Sequence, residues 1–166
     1  MRILKPDTKD QHNDGSMQIF LAGTIDMGNS EDWQAKTAEA LSHLKTDITI
    51  LNPRRESWDS SWVQKESNPQ FNHQVNWELS GIEDADIVFF NILPDSKSPI
   101  TLMELGLCAL VKQQVIVCCP KEFYRSGNVQ VMCSRYRIPL FEDFDSAIGS
   151  LMTMITTLEV DDAPRS

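Results

Sequence analysis

The chain has 166 residues, 41% of them hydrophobic and 23% charged, and a formal net charge of −9. That length suits one domain with a real core, and the composition is ordinary for a soluble globular protein. The acidic balance argues against a binder of nucleic-acid polymers, no apolar run reaches membrane-spanning length, and no secretory signal is visible.

Residues 1–16 are polar apart from Ile3 and Leu4, and read as a loose N-terminal arm. The folded domain is expected over residues 17–158. Met17 to Ala22 is a strand that runs into Gly23-Thr24. Asn29 or Ser30 is placed to cap a helix from Glu31 to about Leu44, with Trp33, Ala40, Leu41 and Leu44 towards the core. Ile48 to Leu51 is a second strand, closed by Asn52-Pro53. The polar stretch from Arg54 to Pro69 is long for a plain connection, so it is a candidate binding loop. Gln70 to Asp84 reads as a helix and Asp86 to Asn91 as a buried strand. An apolar helix follows Ser98-Pro99, then a strand from Gln114 to Cys119. Residues 121–136 are mixed loop and helix. A short strand near Ile138 to Phe141 leads to a last helix, Phe144 to Leu158, and residues 159–166 form a mobile tail.

Strands bounded by helices, without hairpin signals, predict an α/β fold with about five parallel strands and helices on both faces. Ligands in such sheets bind beyond the C-terminal strand ends. Gly23-Thr24, Asn52-Pro53-Arg54, Asn91 and the loop before Glu104 all open onto that edge.

Ser98 to Leu110 is the most informative stretch, because Glu104 is its only charged residue. Pro99 suits the start of a helix, and Ser98 or Thr101 is placed to cap it. Glu104 is then expected near the first turn, where backbone N–H groups favour an anion. A carboxylate held there suits a nucleophile or an electrostatic catalyst. An exposed Glu at a helix start fits the same segment. Cys108, Cys118, Cys119 and Cys133 read as reduced core thiols, consistent with a cytoplasmic protein. Neither they nor His12, His43 and His73 show metal-ligand spacing, so no metal or other cofactor is expected.

Four segments stand in a telling order and spacing: Phe20-Leu21-Ala22-Gly23-Thr24, Trp77-Glu78-Leu79-Ser80-Gly81-Ile82, Ala85-Asp86-Ile87-Val88 and Thr101-Leu102-Met103-Glu104-Leu105-Gly106. Together they resemble the nucleoside 2-deoxyribosyltransferase superfamily. The wording of Asn52-Pro53-Arg54-Arg55, Gln74-Val75-Asn76-Trp77-Glu78-Leu79 and Ser98-Pro99-Ile100-Thr101 is similar to its deoxyribosyltransferase-like branch. The resemblance implies a flavodoxin-like, Rossmann-like three-layer sandwich and an enzyme that cleaves an N-glycosidic bond. It implies that Glu104 attacks the anomeric carbon to form a glycosyl-enzyme, by the logic of a retaining glycosidase. A second base then accepts the sugar in a transferase, and water in a hydrolase. The helical carboxylate that handles the base is usually Asp in that family, and Glu78 stands there. Val75, Leu79 and Ile82 share its helix face. Asp86, at a strand start, fits a structural role better than a catalytic one.

Gly23, Thr24, Asp26, Arg54, Trp58, Asn91, Ser98 and Asn128 are the candidate substrate-binding residues. Ser98 is similar to a residue that helps hold a 5′-phosphate in nucleotide-hydrolysing relatives. Asp26 stands where those relatives carry Arg, and an anion there repels a phosphate. Arg54 or Arg55 could replace that Arg, or could be a solvated pair with Glu56 or Asp59. Trp58 and Trp62 could stack on a base as a lid, whereas Trp77 fits the core. Asn128 is placed near the site or in a neighbouring subunit's pocket, because the resemblance implies a homodimer or larger homo-oligomer. Three functions stand at this level: a deoxyribosyl transferase on nucleosides, a hydrolase of nucleoside monophosphates or NAD-like N-glycosides, and a non-catalytic nucleoside-binding module.

Overall fold

A computed structural model of the chain describes residues 1–8, 15–28, 30–55, 61–112 and 114–162. The proposed cap Asn29, the lid candidate Trp58, residues 9–14 of the arm and residues 163–166 of the tail lie outside the described residues. Six parallel strands form one sheet: β1 (Arg2–Leu4), β2 (Met17–Gly23), β3 (Ile48–Leu51), β4 (Ile87–Asn91), β5 (Val115–Cys118) and β6 (Leu140–Phe141). The helices are α1 (Trp33–Leu41), α2 (Pro69–Asp84), α3 (Pro99–Val111), α4 (Ser126–Tyr136) and α5 (Phe144–Asp162).

The spatial order is β1-β3-β2-β4-β5-β6. From β3 onward this is the flavodoxin order, with its switch point between β2 and β4. Strand side chains alternate between two cores, because the strand period is two. Ile19, Leu21, Phe89 and Ile116 face α1 and α5. Phe20, Ala22, Phe90 and Val117 face α2, α3 and α4. The result is the expected three-layer flavodoxin-like sandwich.

The sixth strand is the departure from about five. Arg2, Ile3 and Leu4 pair with Thr49, Ile50 and Leu51, so part of the expected arm is an edge strand. Its three residues are too few to show a pattern, and β3 supplies the template. The first long helix starts at Trp33, and Asp32 caps it by accepting from Ala35 N at 3.0 Å. Ser30 instead donates to the carbonyls of Ile25 and Thr24. The last helix runs to Asp162, past the expected end at Leu158.

Two glycines bring layers together. A Cβ on Gly81 of α2 would lie 2.8 Å from Cδ2 of Phe20, so α2 sits closer to β2 than an alanine allows. Gly23 ends β2 at φ +148, and a Cβ there would lie 2.1 Å from the Asn91 carbonyl oxygen. That glycine lets β2 and β4 remain paired up to the switch point, where Gly23 lies opposite Asn91. Asp86 is structural: its carboxylate accepts from Gln18 N at 2.7 Å, at the opposite end of the sheet.

Candidate active site

Beyond Gly23 the chain enters a cluster of hydroxyls. Thr24 is buried, and its N–H donates to the Asn91 carbonyl at 3.0 Å. Its Oγ1 accepts from Leu93 N at 3.0 Å and lies 2.7 Å from Ser98 Oγ and 3.0 Å from Ser96 Oγ. The two serine hydroxyls are 2.8 Å apart. Ser98 occupies the N-cap position of α3, with φ +42 and no capping bond from its side chain. The expected cap is therefore absent, because the hydroxyl is engaged with Thr24 and Ser96. Thr101 is the third residue of the helix, within its first turn, and is buried.

Glu104 is the sixth residue of α3, deeper than the expected first turn. It is 8% exposed and lies on the face that also buries Leu105 and Cys108. Among the described residues no cation compensates it. Burial, and then the nearby charge of Glu78, push its carboxyl up to about 8. The surface reading of Glu104 is thereby excluded.

Glu78 projects from α2 into the same region. It is half-buried, and burial raises its carboxyl above the ordinary value. A hydrogen bond from Gln74 and the charge of Arg55 oppose that rise. Gln74 Nε2 donates to Glu78 Oε1 at 2.7 Å and to the Pro53 carbonyl at 3.1 Å. Gln74 Oε1 accepts from Arg55 Nε, and Arg55 also pairs with Asp7 and lies 4.9 Å from the Trp62 ring centroid. The bridging role of Gln74 was not deduced from sequence, although its i, i+4 spacing to Glu78 was available.

The other candidates separate. Asn91 is buried at the end of β4, beside Gly23 and Thr24. Arg54 does not face solvent: Nη1 donates to Ser30 Oγ and the Glu31 carbonyl, and Nη2 to the carbonyls of Gly28 and Ser30. Its guanidinium thus braces the loop after β2. Asp26 is exposed in the 3-10 turn of that loop, at φ +47. Asn128 is exposed in the first turn of α4. Trp77 is a core residue, 6.3 Å from Phe20 between ring centroids.

Two surface depressions lie elsewhere. One, of about 430 Å³, runs between α1 and α5; the other, of about 600 Å³, sits at the N-terminal strand ends beside Met17, Gln18 and Gln114. Neither holds a buried carboxylate. The four cysteines are buried and unbonded, and burial pushes their thiols up to about 11 or 12, which removes them as nucleophiles. Among the described residues no group of His, Cys, Asp or Glu converges to hold a metal ion, and no helix is long and apolar enough to cross a membrane.

A flavodoxin-like sheet with two interacting carboxylates on the helices beside its switch point defines a class of small-molecule site. The chain belongs to the nucleoside 2-deoxyribosyltransferase-like family, whose sequence model matches residues 16–123. That span contains both carboxylates and the hydroxyl cluster, and ends before α4. No individually curated protein matches the chain.

Proposed function

We propose that the protein cleaves the N-glycosidic bond of a (deoxy)nucleoside and transfers the sugar between bases through a covalent ester on Glu104. The observation that carries this reading is the burial of Glu104 next to a second carboxylate, without a compensating cation among the described residues. An uncompensated buried carboxyl is costly, and groups perturbed in this way concentrate at functional sites. A cationic transition state supplies the missing partner. In glycosyl transfer the anomeric carbon becomes oxocarbenium-like, so the Glu104 anion is stabilised as the bond to the base breaks.

The two carboxyls divide the work. The Glu104 carboxylate forms the bond to the anomeric carbon, and the carbon–nitrogen electron pair leaves with the base. Glu78 gives its proton to that base. An incoming base then attacks the same carbon, releases Glu104 and returns a proton to Glu78. Water in place of the second base gives hydrolysis. Gly23, Thr24, Asn91 and Ser98 form the floor under the sugar. Arg54 shapes the wall through the loop it braces, Asp26 selects against a phosphate, and Asn128 completes the rim.

A monophosphate-hydrolase reading has one observation in its favour, the Ser98 hydroxyl at the start of α3. Against it, Arg54 and Arg55 are both engaged within the protein. The exposed apolar stripe of Ile100, Met103, Leu107, Leu110 and Val111 on α3 supports a homodimer or larger homo-oligomer. The unbonded thiols support a reducing compartment, the cytoplasm.

The test is a panel of nucleosides and 5′-monophosphates, incubated with and without a free acceptor base and read by chromatography. Exchange of bases is expected on nucleosides. Base release that ignores the acceptor would make the protein a hydrolase, and binding without turnover would make it a binding module.

A further inference from the structure

Gln74 is held from three sides. The Nε–H of Arg55 can only donate, so the oxygen of the Gln74 amide must face it. The carbonyl of Pro53 can only accept, so the nitrogen must face the other way. These two neighbours fix the amide whatever the charge on Glu78. The remaining N–H of Gln74 therefore points at Glu78 Oε1, 2.7 Å away. An oxygen that receives an N–H there has no room for its own proton in the same direction.

We propose that Gln74 and Arg55 are positioning residues that assign the Glu78 proton to one oxygen: Oε1 is held as an acceptor, and Oε2 alone carries the proton to the base. The inference rests on reading Glu78 as the proton donor to the leaving base.

The assignment has a mechanistic use. A carboxyl with two equivalent oxygens presents its proton towards the base only part of the time. One with a fixed acceptor oxygen presents it in a single direction, which is the geometric requirement of general acid catalysis. Asp7 extends the chain of contacts by pairing with Arg55. His73 adds a tie between α2 and the same N-terminal segment, 3.0 Å from the Pro6 carbonyl. Among the described residues the charged groups acting on Glu78 are Arg55, from the connection before α2, and Glu104, from α3. The first favours its anion and the second opposes it.

The test reads Glu78 directly, by carboxyl ¹³C resonances of glutamate-labelled protein titrated with pH, with Glu78→Gln to assign the signal. Gln74→Met removes the donor and keeps the volume. Gln74→Glu keeps an acceptor for Arg55 but has no N–H for Glu78. Arg55→Met, at the far side of the amide, covers the case in which either Gln74 variant does not fold. The Glu78 midpoint is expected to rise by about one pH unit or more in both Gln74 variants, as befits a lost hydrogen bond to a charged group, and by less in Arg55→Met. The alkaline limb of kcat is expected to move with it, while KM changes less. Midpoints equal to the wild type in the folded variants would overturn the assignment. If the midpoints move but no nucleoside is turned over by the wild type, the relay stands and the glycosyl-transfer reading falls. If turnover falls while the midpoints stay, the reading survives and the relay does not.

Discussion

Glu104→Gln should make the protein more stable, and the gain should depend on pH. The wild-type carboxyl is raised from 4.5 to about 8 by burial and by Glu78. Between those values the folded protein holds a proton that the unfolded chain has lost, so wild-type stability falls as pH rises. Integrating that difference gives a penalty of ~1 kcal/mol at pH 5, ~3 kcal/mol at pH 7 and a limit of ~5 kcal/mol above pH 8. Glutamine has the shape of the neutral acid and no proton to lose. The variant should match the wild type at and below pH 4.5, then exceed it by an increasing margin. For a chain of this size ~3 kcal/mol is worth roughly 6–12 °C in Tm. Differential scanning calorimetry of both proteins from pH 4.5 to 9 is the assay. A Tm difference that stays constant across that range would refute the reasoning, since it would mean that Glu104 carries no perturbed proton.

The same substitution should reduce turnover by at least about a hundredfold while substrate binding persists, and a glycosyl adduct on Glu104 should be found by mass spectrometry of the quenched wild type. Glu78→Gln should abolish the alkaline limb of the pH–rate profile, because the variant has no proton to lose. An unchanged profile would leave Glu78 a structural role. Gly81→Ala should cost about 1 kcal/mol or more by overpacking against Phe20, despite the better helix propensity, whereas Gly149→Ala, with open space around it, should stabilise by a few tenths to about 1 kcal/mol; urea denaturation of the two variants compares the signs. Titration calorimetry of a nucleoside and its 5′-monophosphate should show the nucleoside binding more tightly, and the reverse order would favour the hydrolase reading.

The layer order was legible in the chain because apolar blocks alternate at strand and helix lengths, and each block carries its own period. The burial of Glu104 was legible as a single charge in an apolar run. Its depth in the helix was not, because that depends on where α3 begins, and the Ser98 hydroxyl bonds residues distant in sequence instead of the helix end. A helix apolar all round reads as packed all round. In α3 only one side meets the sheet, and Met103 and Leu110 remain 62% and 73% exposed. The partners of the two arginines were not legible for a related reason. A loop cation looks available until its acceptors are placed, and those of Arg54 are the Ser30 hydroxyl and the backbone carbonyls of Gly28, Ser30 and Glu31, which carry no compositional signal.

The edge strand has a consequence for the order of events during synthesis. Residues 2–4 are made well before residues 49–51, the strand they pair with among the described residues. They must wait, unpaired, while β2 and α1 are made. Domains generally gain structure as the chain emerges, so β1 joins the sheet after its neighbours' residues exist. Asp7 reaches Arg55 only then, carried in by the same segment. The charge balance around Glu78 is thus completed by a segment made long before Glu78 itself, and a protein with β1 undocked would carry a folded core and an unfinished acid.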